Sequence, residues 1–342
     1  MKQNEWNYQS FFQSYRGIIL LAMALLTSVL CALRFGSTSL STADFWGALL
    51  WQKDGTEALI LYSVRLPRVL AGLLAGVGLS LSGVLLQSVT ENELASPNIV
   101  GVNSGAGFGV IICLSLVGAW RGWQLFSAIS LFAFLGATGT AILVLFLAER
   151  AGGGKVSVVL SGVAVTALLN ALISAMTLLD SDILSSYHSF SVGGFDGVRL
   201  ADLAVPALMV AVCFLIAMVQ APRLQLLCLG REMASVMGVR VRRLRVLCIL
   251  CAAASAAAVV SFAGLLGFVG LIVPHMARRL VGNQTRMLLL TSAILGGIVT
   301  ILADLLGRIL LAPTEIPVGI MMAVVGVPFF LALLLQRRGH WQ

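Results

Sequence analysis

Charged side chains and histidines are scarce in this chain. Only 11% of its 342 residues are charged, and it contains three histidines. Hydrophobic residues make up 59%, and the mean hydropathy is +1.00. Soluble globular proteins do not have so apolar a composition. The shortage of charge therefore excludes a soluble protein and indicates a polytopic membrane protein.

The chain also lacks the sequence motifs of several enzyme classes. The string nearest to a phosphate-binding loop, Gly152-Gly-Gly-Lys155, has no leading glycine and continues with Val156. No metalloprotease His-Glu pair, no Gly-x-Ser-x-Gly and no paired carboxylates occur within an apolar run. We therefore predict that the chain is not an enzyme, and that uphill work would need an outside source of energy.

The six cysteines give no metal site. Cys248 and Cys251 have the spacing of zinc ligands, but a tetrahedral site needs further ligands and the surrounding sequence offers none. All six lie in or beside apolar runs, where free cysteine behaves as a small hydrophobic residue. We interpret them as packing residues.

Ten apolar runs could each form a membrane-spanning helix, which needs about 20 residues. We predict an all-α fold in which residues 1–342 form a single transmembrane domain, and the eighth span is short. The predicted spans are 17–35, 69–89, 98–118, 124–148, 156–178, 201–220, 246–266, 267–281, 287–311 and 317–335. Glycines four residues apart, as in Gly72 and Gly76 or Gly101, Gly105 and Gly109, predict close packing of these helices.

The basic residues predict the orientation, because lysine and arginine collect in cytoplasmic loops. With both termini inside, 15 of the 22 lysines and arginines fall on the cytoplasmic side and 7 outside. The net charge of +8 then reflects an inward excess and does not indicate nucleic-acid binding.

Two stretches share a pattern. Arg68-Val-Leu begins the second span and is followed by Pro97, and Arg245-Val-Leu begins the seventh and is followed by Pro274 at the same interval. These spans run in opposite directions in the predicted topology. We predict an inverted repeat of residues of about 65–200 and 240–336, an arrangement found in many transporters.

Asp304 lies late in the ninth span and has two interpretations. It could be a proton site of a secondary transporter. The simpler one is an i, i+4 ion pair with Arg308.

A basic segment between the sixth and seventh spans predicts a contact surface for another protein. If residues 230–238 form a short helix, Met233, Val236 and Met237 share one face, with Arg231 and Glu232 on its flank. An ordinary cytoplasmic loop would explain the arginines that follow, but not this stripe. The predicted helix comprises Gly230, Arg231, Glu232, Met233, Ala234, Val236, Met237 and Gly238.

Seven motifs carry a resemblance to a known family. They are Val64–Arg68, Leu81–Gln87, Glu93–Gly107, Leu229–Val239, Gly267–Arg278, Ala303–Arg308 and Glu315–Ile320. In this order, and across nearly the whole chain, they resemble FecCD-type permeases, the membrane subunits of ABC importers for iron–siderophores, haem and cobalamin. Two segments depart from the family pattern. Glu93 stands where the family has proline, which would loosen the turn into the third span, and Phe190–Gly194 replaces a Trp-x-x-Gly-Ser segment.

The resemblance implies a multi-pass protein of a bacterial cytoplasmic membrane that pairs with a second permease chain, identical or not. Two cytoplasmic ATPases would bind ATP and Mg²⁺, so this chain would hold no cofactor, and would dock on the Gly230–Gly238 helix. An extracytoplasmic binding protein would dock on the positions that match the family's outer arginines, Arg65, Arg68 and Arg308. Snorkelling towards lipid head groups is the alternative explanation of these arginines.

The cargo implied most often by this family is a ferric siderophore, with haem and cobalamin as alternatives. The residues alone are also compatible with two other functions, a gradient-driven secondary transporter and a membrane scaffold. The polar residues that could line a path are Gln87, Asn98, Asn103, Ser104, Ser161, Thr166 and Asn170. Hydrogen bonds between helices would explain them equally well.

Overall fold

The computed structural model describes residues 15–38, 41–50, 55–117 and 123–338, and this part of the chain is helical without a β-strand. The all-α prediction is confirmed. The helices are α1 (Tyr15–Arg34), α2 (Thr42–Leu50), α3 (Thr56–Leu59), α4 (Leu66–Thr90), α5 (Val102–Val117), α6 (Trp123–Arg150), α7 (Lys155–Leu179), α8 (Ser181–Val192), α9 (Leu200–Leu227), α10 (Arg231–Val236), α11 (Val241–Ala263), α12 (Val269–Val281), α13 (Thr285–Ile309) and α14 (Val318–Arg338). A π-helical turn, Ile60–Arg65, joins α3 to α4, and a 3₁₀ turn, Pro97–Val100, precedes α5.

Each of the ten predicted spans overlaps one of these helices. Within the described residues, seven spans are long and apolar enough to cross a membrane, formed by α3–α4 together and by α1, α6, α7, α9, α11 and α13. The apolar stretches Val102–Leu116 of α5 and Val318–Ala332 of α14 are shorter, and the 13 residues of α12 extend only about 20 Å. Because a hydrocarbon core is about 30 Å thick, the number of ten crossings stays a prediction. Both termini, with Lys2, Lys53 and Arg121, lie outside the described residues.

The centre of the bundle is formed by α4, α11 and α13. In the most apolar 18-residue stretch of each of these helices, 67–78% of the residues are buried, compared with 28% in α1, α7 and α9. Glycine allows the central helices to touch. A Cβ atom on Gly76 would lie 2.1 Å from the carbonyl oxygen of Gly296, and one on Gly105 would lie 2.5 Å from that of Gly136. Such contacts exclude any larger residue, so the predicted close helix packing is confirmed.

The contacts between α4 and α13 define two ends of the bundle. Arg68 meets Asp304, the hydroxyl of Thr300 donates to Gly72 at 2.6 Å, and Gly76 packs on Gly296, so the two helices are antiparallel. Along α4, Arg68 and Gln87 are about 28 Å apart at 1.5 Å per residue. We name the end that holds Arg68 the Asp304 end, and the opposite end, which holds Gln87, the α10 end.

The chain is broken between α11 and α12. α11 ends at Ala263, and Gly264 and Phe268 both have positive φ, 67° and 65°. Left-handed backbone is costly for a residue as bulky as phenylalanine. Gly194 donates to the carbonyl of Ala263 at 2.9 Å, which fixes the end of α11 on the side of the Asp304 end.

α4 and α11 run in opposite directions, as an inverted repeat requires. α4 starts at the Asp304 end, whereas Arg245, near the start of α11, donates to the carbonyl of Gly153 at the α10 end. The repeat itself stays a prediction.

Candidate functional site

At the α10 end, a short helix stands out from the bundle between two glycines with positive φ. Gly230 has φ 102° and Gly238 has φ 84°, values that side-chain-bearing residues rarely adopt. The helix itself covers only Arg231–Val236, so the predicted nine-residue helix is three residues too long, and Met237 lies in the turn that ends it. The glycines reverse the chain direction and so end the helix early.

The apolar stripe predicted on this segment exists and is uncovered. Met233, Val236 and Met237 are 56%, 85% and 56% exposed, whereas Ala234 is completely buried. One side of the helix is therefore fixed in the core and the other presents three large apolar side chains. In a chain without bound partners, such a patch is typical of an interaction surface.

Backbone bonds connect this helix firmly to its neighbours. The amide of Ala234 donates to Gly230 and the amide of Val239 donates to Ala234, each at 3.0 Å. Val239 and Val241 are buried directly after it. Farther on, Arg242 forms an ion pair with Glu149, and Arg245 donates to the carbonyl of Gly153 at 3.0 Å. α10 is thus linked through Val239 to the start of α11, which in turn contacts Glu149 of α6 and the connection between α6 and α7.

At the Asp304 end, a buried ionic network joins distant parts of the chain. Arg68 contacts Asp304 at 2.9 Å, Asp196 at 2.5 Å and Glu315 at 2.6 Å, and Arg308 contacts Asp304 at 3.0 Å. Asp304 is only 2% exposed. The ion-pair interpretation of Asp304 and Arg308 is thus confirmed, and the network also includes α4 and two loops.

The three predicted docking arginines are not free on the outer rim. Arg65 donates to the carbonyls of Leu33 and Arg34 at 2.9 and 2.8 Å, and Arg308 donates to Ala32 at 3.3 Å, so both bind the last carbonyls of α1. Arg65, Arg68 and Arg308 are all buried. Neighbouring carbonyls and carboxylates bind and cover the three guanidinium groups, an arrangement that differs from snorkelling towards lipid head groups. Their docking role stays a prediction.

Two of the predicted path residues line one partly open cavity, in which Asn103 is half-buried and Asn98 is exposed. Asn98 and Asn103 line a space of about 140 Å³, together with Leu79, Ser96, Pro97, Leu266, Gly267, Phe268, Gly270 and Leu271. The strained Phe268 packs its ring on Gly326 of α14, where a Cβ atom would lie 2.5 Å from the ring. No local sequence pattern predicts the role of Phe268 in this wall, because only the fold brings the break and the 3₁₀ turn together.

The other predicted path residues are placed elsewhere. Gln87 is buried, and its side-chain oxygen accepts from Arg278 at 3.0 Å, so it connects α4 to α12. Ser104, Ser161 and Thr166 are half-buried and Asn170 is exposed, and these four do not line the cavity.

The turn into α5 is closed although the proline of the family pattern is missing. Ala95 donates to the carbonyl of Asn92, and Leu94 donates to the Asn92 side chain, both at 3.0 Å. The expected loosening is therefore wrong, because the asparagine side chain supplies a local bond that fixes the turn.

Together, a many-helix apolar bundle, an uncovered helix at one end and a small cavity between broken helices define a polytopic membrane transport protein of the permease class. The chain belongs to the FecCD transport family, whose sequence pattern matches residues 23–336.

Curated relatives extend over nearly the full chain. The Fe(3+)-citrate import system permease protein YfmE of Bacillus subtilis is 34% identical over 318 residues, 93% of this chain and 94% of that protein. The hemin transport system permease protein HmuU of Yersinia pestis is 31% identical, covering 93% and 96%. The ferric enterobactin transport system permease protein FepD of Escherichia coli is 31% identical, covering 93% and 94%.

A solved structure has the same fold. It is described as an inward-facing conformation of a metal-chelate type ABC transporter. It superposes with a TM-score of 0.82 at 30% identity, over 94% of this chain and 100% of that chain.

Proposed function

We propose that this chain is the permease subunit of a binding-protein-dependent ABC importer that moves a ferric siderophore across the bacterial cytoplasmic membrane. Membership of the FecCD family supports the importer class, and the uncovered stripe on α10 is the observation that carries the mechanism. ATP is hydrolysed by two partner ATPases, and a second permease chain completes the path. The α10 end and both termini face the cytoplasm, in line with the excess of basic residues there.

The relatives favour a ferric chelate as the cargo, since they include permeases of ferric citrate, ferric enterobactin and iron-hydroxamate import systems. The cavity agrees with a bulky cargo that is not held tightly, because its walls are amides and apolar side chains without a charged group. Its volume of about 140 Å³ is below the several hundred Å³ of a typical ligand site, so the walls must separate during transport. Haem or cobalamin is the alternative cargo.

The separation of the walls follows from the connections of α10. An ATPase that binds Met233, Val236 and Met237 moves α10 when it changes conformation. Because Ala234 and Val239 are buried next to α11, α11 moves with α10. α11 ends at the break that carries Phe268 into the cavity wall. A rigid helix with a hinge beside the cavity can thus convert a push at the cytoplasmic end into a change of the path.

Among the outer arginines, we assign the contact with the binding protein to Arg68 alone. Asp196 is 62% exposed while its partner Arg68 is buried. A carboxylate of the binding protein would displace Asp196 from Arg68, so docking and the state of the network are coupled. Arg65 and Arg308 then position the end of α1 and do not contact the binding protein directly.

The contact with the ATPase is tested by Val236→Glu. A carboxylate in the centre of the apolar stripe would be buried without a partner on docking, so we expect at least a tenfold loss of ATPase co-purification, which corresponds to about 1.4 kcal/mol. Val156→Glu is the matched control, because Val156 is 77% exposed at the same end and lies in the first turn of α7, where acidic residues are tolerated. Full ATPase recovery with Val236→Glu, or equal loss in the control, would show that α10 is not the docking site.

A further inference from the structure

A second basic feature of the α10 end lies beside α10, and its three arginines are not part of the proposed ATPase contact. A cleft of about 330 Å³ opens between α9 and α11. Three arginines surround it, Arg223 from α9 and Arg240 and Arg243 from the start of α11. The remaining lining residues are Gln220, Gly238, Val239, Leu244 and Leu247. The cleft is therefore strongly positive and has no carboxylate in its wall.

The three arginines have no anionic partner within the described part of the chain. Arg223 donates to the neutral side chain of Gln220 at 2.8 Å. Within the same residues, the ion pairs of this end use other groups: Arg242 with Glu149, and Lys155 with Glu91. Three positive charges close together repel one another, so an anion in the cleft would remove an unfavourable interaction.

Apolar stripes lead from the membrane-spanning part of both helices to these arginines. On α9, the side chains of Val212, Leu215 and Val219 are exposed at helical spacing, and the next position on that face is Arg223. On α11 the apolar surface is narrower: Leu250 is 37% exposed, and Leu247 is half-buried and lines the cleft one turn from Arg243. The cleft thus has cations at the membrane surface and uncovered apolar surface extending into the hydrocarbon region.

We infer that this cleft binds an anionic phospholipid of the cytoplasmic leaflet. The phosphate lies among Arg223, Arg240 and Arg243, where guanidinium groups donate paired hydrogen bonds, and the acyl chains lie along the stripes of α9 and α11. A docked protein would cover the surface of this end, but it would not follow the stripes into the membrane. A zwitterionic lipid would not balance the three positive charges.

Lipid retention tests this site in the purified chain. Wild-type protein is exchanged into vesicles of equal parts phosphatidylglycerol and phosphatidylcholine, extracted, and its bound lipids are counted by native mass spectrometry. We expect selective retention of phosphatidylglycerol, and about a tenfold or greater loss of it in Arg223→Gln/Arg243→Gln. The control Arg150→Gln/Arg286→Gln removes two exposed arginines from the same end outside the cleft and should retain lipid like the wild type.

Further measurements distinguish a phospholipid in the cleft from a phosphate ion or a docked ATPase. Leu247→Gln keeps every charge but interrupts a stripe, so weaker retention is expected if acyl chains contribute. Displacement of the lipid by inorganic phosphate, with no effect of Leu247→Gln, would indicate a phosphate-ion site and overturn the inference. Equal losses in the two arginine pairs would also overturn it, as would unchanged lipid retention together with a loss of ATPase binding in Arg223→Gln/Arg243→Gln.

Discussion

Asp304 is the residue on which the Asp304 end depends. Its carboxylate is almost completely buried and contacts two arginines, Arg68 of α4 and Arg308 of its own helix. Burying an ion pair does not stabilise a protein strongly, but removing one member leaves the others as buried charges without compensation. Asp304 is the carboxylate that contacts both guanidinium groups, so its replacement should weaken the whole ionic network.

We predict that Asp304→Asn lowers the free energy of unfolding by about 3–5 kcal/mol, because Arg308 loses its carboxylate partner while it stays buried, and Arg68 keeps only Asp196 and Glu315. Thermal unfolding in detergent measures the effect. Asp202→Asn is the control, since its ion pair with Arg199 lies on the surface and should contribute much less. A melting temperature of Asp304→Asn equal to that of the control would contradict the structural role of the network.

At the scale of elements, the bundle depends on helices that touch through glycine. α4 and α13 approach so closely at Gly76 and Gly296 that backbone meets backbone. In a membrane, where water is not expelled on association, this contact area and its packing replace the hydrophobic effect as the source of helix association. The short α10 differs, since the glycines at both of its ends shape the chain and do not pack.

We predict opposite effects of one substitution in two helices. Gly76→Ala places a Cβ atom 2.1 Å from the backbone oxygen of Gly296, so α4 and α13 must separate, and we expect a destabilisation of about 1–3 kcal/mol. Gly139→Ala in α6 meets nothing within 4 Å and should be neutral or slightly stabilising, because alanine favours helix. Thermal unfolding of the two variants side by side measures this. Equal stability of both would show that the α4–α13 contact tolerates separation.

The pattern of apolar runs was sufficient to predict these elements. Each predicted span overlaps a helix, because a run of apolar residues in lipid can satisfy its backbone only as a helix. The start of α8 also had an available signal, since Asp180 accepts from the amides of Asp182 and Ile183 as a helix N-cap. No comparably clear sequence signal marks the break at residues 264–268, because this segment is apolar like the helices on either side of it.

At the scale of the whole molecule, the two ends are connected by continuous helices. α4 and α13 hold the ionic network at one end, and α11 runs from beside α10 to the break that borders the cavity. The sequence contains no phosphate-binding loop. In the mechanism that we propose, a partner ATPase drives the transport cycle at α10.

We predict that the permease reconstituted with its ATPase and binding protein takes up ferric siderophore only when ATP is hydrolysed. A vesicle assay with radioactive iron measures uptake, and an ATPase variant that binds but does not hydrolyse ATP should reduce it to the background of empty vesicles. Uptake by the chain alone, driven by a proton gradient, would instead support the secondary-transporter alternative.

The sequence by itself determined the ten apolar helices with their approximate bounds, the small residues at their contacts and the position of α10, because each follows from the composition and spacing of neighbouring residues. It did not determine the short helices α2, α3 and α8. Only the tertiary structure decided that Arg65, Arg68 and Arg308 are buried and paired, and that Asn98, Asn103 and Phe268 share a cavity. Arg68 is bound by Asp196, Asp304 and Glu315, which lie far away along the chain. Whether an arginine faces a partner or its own chain depends on which distant carboxylates the packed helices bring to it, and local sequence does not contain that information.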